Sequence, residues 1–206
     1  MKLAITPRFY DGKFEKLISI EEKYYPFFNK FGHHLNLIPF LGLKPDEYID
    51  QLKPNAIVFA GGYRLYTDQI KNFEKEVLKS ALNRKLPILA ICCGMWTVNG
   101  YFGGSLKFNE NHQAFDGEKI KFSKMLHYVE ATDLVKKKNY KVNTFHSKVI
   151  DKLGSNLNTF LISDDGEIEG IYNLEKKIIG VQFHMENQGV DDQLTQQIME
   201  IFSNLK

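Results

Sequence analysis

Residues 87–94 read PILAICCG, a short apolar run that enters two adjacent cysteines and a glycine. Four apolar residues bounded by a proline suit a strand buried on both faces. The residues after Gly94, up to Tyr101, read as a helix. A strand that turns sharply into a helix through a reactive side chain is the sulfur counterpart of a nucleophile elbow. Such a turn strains the backbone at the nucleophile, so the residues two before and two after it must be small. Ala90 and Gly94 meet that condition for Cys92. For Cys93 the same positions are Ile91 and Met95, which are too bulky. The start of the following helix also favours a thiolate near it. On this stretch alone, an inert cysteine at a strand end stays open.

Outward from the elbow, strands and helices alternate. Leu3–Thr6, Leu35–Pro39 and Ala56–Ala60 read as strands, the last ending in Gly61-Gly62. Ile18–Phe31 reads as a helix stopped by Gly32. Pro45–Leu52 reads as a short helix with Asp46 and Glu47 in its first turn, where carboxylates suit the dipole. Thr67 or Asp68 can cap a helix whose apolar positions are Ile70, Phe73, Val77, Leu78 and Ala81. Residues 105–140 are less regular. Tyr140–Phe145, Asn158–Ser163, Glu167–Tyr172 and Ile178–Phe183 read as strands, with Asp165-Gly166 as a hairpin turn. Leu194, Ile198, Ile201, Phe202 and Leu205 share one face of a last helix. This order predicts a three-layer α/β sandwich with a mainly parallel sheet and an antiparallel extension. The 206 residues suit a single domain over 1–206.

Composition excludes several function classes. A net charge of +2 is too mild for a nucleic-acid binder. No stretch approaches the length of a membrane span, and the first residues lack the apolar core of a secretion signal. The only two cysteines are neighbours, which is poor geometry for a structural disulfide. A reducing, cytoplasmic location is the expectation.

A second candidate constellation lies in GVQFHMEN, residues 180–187. His184 and Glu186 are two apart at the end of an apolar strand, so extended backbone would put them on one face. A carboxylate on one imidazole nitrogen leaves the other free to take a thiol proton. A surface His-x-Glu pair is the competing reading.

Taken together, AICCGMW and VQFHME resemble the G-I-C-x-G-M-Q and V-Q-x-H-P-E motifs of class I glutamine amidotransferases, in their γ-glutamyl hydrolase branch. ITPR (5–8), AGG (60–62), FGGSL (102–106), VNTFHSKVI (142–150) and DDGEIEG (164–170) agree with the same family. The resemblance implies a nucleophile at Cys92, a base at His184 and an orienting acid at Glu186. It implies an oxyanion hole from the Cys93 amide and a Gly61 or Gly62 amide, with no metal or organic cofactor. Attack on a γ-glutamyl carbonyl would release an amine and then glutamate.

Trp96 stands where the family has a glutamine, Cys93 where it often has a basic or larger residue, and Met185 where it has proline. These departures suggest a specialised substrate. Trp96 is either core or pocket wall, and His146 is a candidate substrate contact. Arg8 and Arg64 follow predicted strands and could meet a phosphate, although a surface or structural pairing is the favoured reading. His112 and His127 read as structural or surface residues, His33-His34 as a solvated helix end, and Asn143 as turn-stabilising. Within the branch, the resemblance implies a nucleotide-linked substrate, γ-glutamyl-CDP-amidate, giving glutamate and cytidine diphosphoramidate for capsule phosphoramidate synthesis. No residue reads cytidine. The competing functions are γ-glutamyl-γ-aminobutyrate hydrolysis, a glutaminase subunit for a partner synthetase, and an idle amidotransferase-like binding protein. On the leading reading no synthetase partner is required.

Overall fold

The computed structural model describes all residues except 12–15, 41–43, 63–67, 113–114, 117–118, 121–125, 137 and 206. Arg64 and Thr67 therefore lie outside the described residues. The strands are β1 (Lys2–Ile5), β2 (Arg8–Asp11), β3 (Lys16–Ser19), β4 (His34–Leu37), β5 (Ala56–Phe59), β6 (Ile88–Ile91), β7 (Ser105–Phe108), β8 (Phe115–Asp116), β9 (Lys119–Ile120), β10 (Leu126–Ala131), β11 (Asn139–Asn143), β12 (Lys148–Lys152), β13 (Asn158–Ser163), β14 (Ile168–Asn173) and β15 (Ile178–Val181). The helices are α1 (Tyr24–Lys30), α2 (Pro45–Leu52), α3 (Asp68–Asn83), α4 (Cys93–Tyr101) and α5 (Asp192–Asn204).

A nine-stranded sheet runs in the order β11-β10-β13-β14-β15-β6-β5-β1-β4. From β15 to β4 all neighbours are parallel. From β15 outward through β14, β13, β10 and β11 they are antiparallel. The architecture expected from the sequence is thus the one present.

Period-two alternation splits the core across the sheet. Leu3, Ile5, Val58, Leu89, Ile91, Ile179 and Val181 face one side, against Tyr24 and Phe28 of α1 and Leu194, Ile198 and Phe202 of α5. Ala4, Ile57, Phe59, Ile88, Ala90 and Ile178 face the other, against α2, α3 and α4. Buried on both faces, β5, β6 and β15 carry no polar residue. Among the described residues, no helix is long and apolar enough to cross a membrane.

Two local expectations are corrected. The helix read over Ile18–Phe31 begins only at Tyr24, because Ile18 belongs to β3, which pairs with β2 in a hairpin. His33 is buried, not solvated. Its Nδ1 lies 3.2 Å from the N-terminal ammonium and its Nε2 lies 3.1 Å from Ser203 Oγ.

Candidate functional site

At the end of β6 the chain makes the sharp turn that its small flanking residues predict. Cys92 has φ 51° and ψ −113°, and α4 begins at Cys93. A positive φ at a residue with a Cβ stores about 1–3 kcal/mol of strain, which the surroundings must hold in place. The Cys92 N–H donates to the Val181 carbonyl at 2.8 Å, and Met95 N–H donates back to Cys92 O at 2.9 Å. Gly94 passes so close to β5 that a Cβ there would sit 2.4 Å from the Phe59 carbonyl oxygen. Any side chain at 94 would push α4 off the sheet and undo the turn.

β15 delivers the second half of the site. His184 and Glu186 lie beyond the strand, in a turn closed by Asn187 N–H on the His184 carbonyl at 3.1 Å. The turn, not extended-strand alternation, brings the two side chains together. Nδ1 of His184 is 2.6 Å from Oε1 of Glu186, and both side chains are buried. Asn143 clamps this turn from β11. Its Oδ1 accepts the His184 N–H at 2.9 Å, while its Nδ2 donates to the carbonyls of His184 at 2.8 Å and Gln188 at 3.1 Å. Burial pulls the His184 pKa down, but the Glu186 charge and hydrogen bond outweigh it and hold the imidazole above its ordinary value.

Gly61 joins the halves. The point where its Cβ would stand is 2.6 Å from His184 Cε1 and 3.1 Å from Cys92 Cβ, so the imidazole and the cysteine both border a bare backbone. The Gly61 N–H donates to the Tyr24 hydroxyl at 2.7 Å, and the Cys93 amide hydrogen-bonds the Cys92 sulfur. Gly62 packs on the Arg8 side chain.

Beneath this surface lies a buried polar layer that the sequence reading missed. Glu74 of α3 is fully buried and receives Thr6 Oγ1 at 2.8 Å, Thr97 Oγ1 at 2.5 Å and Arg8 Nη1 at 2.7 Å. Arg8 Nη2 reaches Cys93 Sγ at 3.2 Å, and Thr6 Oγ1 accepts the Ala60 N–H at 3.1 Å. The Arg8 guanidinium is thus engaged inside the protein with Glu74 and Cys93, the structural pairing favoured over a phosphate contact. A signal was present: Glu74 falls four residues after Ile70 and four before Leu78, on the apolar stripe of its helix.

The two sulfurs differ. Burial resists ionisation of Cys93, but the hydrogen bond from Cys92 and the Arg8 charge draw its pKa down. The hydrogen bond to Cys93, together with burial, pushes Cys92 up, so its thiol needs a base to lose its proton. Cys93 Sγ is walled in by Arg8 and by the Gly62 carbonyl at 3.2 Å. Trp96 Nε1 donates to Gln182 Oε1 at 2.7 Å, and Gln182 Nε2 lies 3.7 Å from Cys92 Sγ. The tryptophan is therefore one side chain removed from the elbow sulfur. The ring nitrogens of His146 face Lys148 and Glu169, not the Cys92–His184 pair.

The profile of the Peptidase C26 family matches residues 21–186. The glutamine amidotransferase-like protein YvdE of Lactococcus lactis is 33% identical over 67% of this chain and 62% of its own length. The gamma-glutamyl-CDP-amidate hydrolase of Campylobacter jejuni is 27% identical over 65% of this chain and 62% of its own length. The match thus spans about three fifths of either relative. A solved structure from Thermoplasma acidophilum, described as a GMP synthase subunit, superposes with TM-score 0.74 at 18% identity, covering 100% of this chain and 93% of that one.

Proposed function

Because the chain belongs to the Peptidase C26 family, whose matched relatives are glutamine amidotransferases and a γ-glutamyl hydrolase, we propose that it hydrolyses a γ-glutamyl amide with Cys92, His184 and Glu186. The observation that carries this reading is the strained Cys92, which shares the bare Gly61 backbone with a His184 already bonded to Glu186. His184 takes the Cys92 proton as the sulfur attacks the γ-carbonyl. The resulting oxyanion is met by the Cys93 amide and by the Gly62 amide, the Gly61 N–H being held by the Tyr24 hydroxyl. One such donor is worth roughly 2.7–4 kcal/mol of barrier. Collapse expels the amine, which takes its proton from the imidazolium. Water activated by His184 then cleaves the γ-glutamyl thioester to glutamate.

For the leaving group we favour the amidate of a nucleoside diphosphate, as in γ-glutamyl-CDP-amidate. The reading is supported by the name of the C. jejuni relative and by Trp96, which replaces a glutamine that helps hold free glutamine in the family. It places the chain in the cytoplasm, in capsule phosphoramidate synthesis, with no synthetase partner. Relatives of higher identity carry other names, so the leaving group is the part to test first. The chain, incubated with γ-glutamyl-CDP-amidate, γ-glutamyl-γ-aminobutyrate and glutamine, should release glutamate fastest from the first. Comparable kcat/KM for glutamine would reject the specialised substrate. Glutamate release only after a synthetase is added would make the chain a glutaminase subunit.

Glu186→Gln tests the base. The carboxylate holds the His184 pKa above its usual 6.5, so neutral imidazole accumulates only above that pH. Removing the charge should move the acidic limb of the kcat/KM profile to lower pH while kcat falls about 10²–10⁴-fold. An unmoved limb would remove Glu186 from the mechanism.

A further inference from the structure

Apart from the cysteine site, three histidines converge on one buried carboxylate. His112 Nδ1 and His146 Nε2 each lie 3.5 Å from Glu169 Oε1, and His127 Nε2 lies 3.7 Å from Oε2. The side chains of His112, His146 and Glu169 are 2%, 0% and 0% exposed. All three inward nitrogens and both carboxylate oxygens are buried with no hydrogen-bond partner among the described residues. Buried polar atoms without partners are rare and call for an explanation.

The outward nitrogens show what faces inward. His146 Nδ1 lies 3.1 Å from the Lys148 carbonyl, which can only accept, so that nitrogen carries a proton. His112 Nε2 lies 2.9 Å from an oxygen of Asp165, also an acceptor, and it too carries a proton. In each neutral ring the nitrogen turned to Glu169 is then a bare lone pair. His127 Nδ1 is held by Thr144 Oγ1 at 2.6 Å. Lone pairs aimed at a buried carboxylate repel unless a cation sits between them. The His112 ring lies 5.0 Å from that of His127 and 4.9 Å from that of His146, so the three rings close around a single carboxylate.

A metal ion resolves the arrangement. Zinc bonds of 2.0–2.1 Å give a tetrahedron with edges of about 3.3 Å. The two His–Glu169 separations of 3.5 Å are close to such an edge, and the donors of His112, His146 and Glu169 all lie within 4.8 Å of one another. The outer partners of His112 and His146, a carboxylate and a backbone carbonyl, are groups that orient metal-bound histidines. An opening of about 320 Å³, lined by His112, His127, Asp164 and Asp165, gives an ion a way in.

We propose that His112, His146 and Glu169 bind one divalent transition-metal ion of the zinc class, with His127 at the edge of the site. The ligands come from the 3₁₀ turn at Glu110–His112, from the segment after β11 and from β14. The ion therefore ties the antiparallel extension together. It also sits beside the catalytic turn in the chain's connectivity. Asn143 precedes His146 by three residues, and the Glu169 carbonyl accepts the Gln182 N–H at 2.9 Å.

The test uses the full chain carrying Cys92→Ala, so that the elbow sulfur cannot take the ion. After chelator treatment, Co²⁺ should add at one equivalent with the visible absorption of four-coordinate nitrogen–oxygen ligation and no sulfur charge-transfer band. Zn²⁺ should displace it. Glu169→Gln should lower Zn²⁺ affinity by more than about a hundredfold, and Asp165→Asn by roughly ten- to a hundredfold through its hold on His112. Circular dichroism checks that each variant is folded. If Glu169→Gln does not fold, His146→Gln must show the loss instead. No stoichiometric binding would overturn the proposal. So would affinity unchanged in folded ligand variants, or a cobalt spectrum dominated by sulfur.

Discussion

Replacing Cys92 by alanine should abolish glutamate release, with kcat/KM down by roughly 10⁴–10⁶-fold, the scale seen when a nucleophile is removed from an intact site. Cys93→Ala should keep a substantial fraction of the activity. The contrast matters because the hydrogen bond from Cys92 and the Arg8 charge draw the Cys93 thiol down. Acidity alone would favour Cys93 over the proposed nucleophile. Position decides: Cys92 sits on the strained turn beside His184, and Cys93 is enclosed by Arg8 and the Gly62 carbonyl. Peptide mapping after iodoacetamide should find the inactivating adduct on Cys92. An adduct confined to Cys93 in fully inactivated protein would reverse the assignment.

Glu74→Ala should destabilise the fold by about 3–5 kcal/mol, since it leaves the Arg8 charge buried and unpaired. Thr6 and Thr97 lose their acceptor in the same change. Urea unfolding should show a lower midpoint with little change in slope. Adding Arg8→Met to Glu74→Leu should recover much of the loss, because apolar residues of similar volume tolerate the position better than a lone charge does. A loss under about 1 kcal/mol for Glu74→Ala would mean that water reaches Arg8 and that the layer is not a support for the 60–62 loop.

What could be read in the sequence was whatever local sterics dictate. Gly94 marks the elbow because no side chain there clears Phe59. The sheet strands and the faces of α3 and α5 follow from periodicity. The start of α1 was misjudged because Ile18 and Ile20 continue the spacing of Tyr24 and Phe27, and a short apolar run fits strand and helix equally. Non-local partners were hidden. His33 is buried by Ser203, Glu74 is satisfied by residues from β2, α4 and the end of β1, and His112 meets His146 and Glu169 only after the antiparallel strands fold back. The polarity of residues 105–140 concealed β7 and β10, whose side chains are largely outward.

The place of β15 in the sheet bears on how the chain is made. It lies between β6 and β14, yet it is the last strand in sequence. As the chain emerges from the ribosome, β6 can pair with β5 at once, but its other edge stays open until Ile178–Val181 arrives. That edge is the apolar segment Ile-Leu-Ala-Ile, the kind of unpaired strand that sticks to other nascent chains. The interval is long, because the whole antiparallel extension is synthesised in between. Slow codons or a stalled ribosome anywhere in that interval should lower soluble yield more than the same delay placed after Val181.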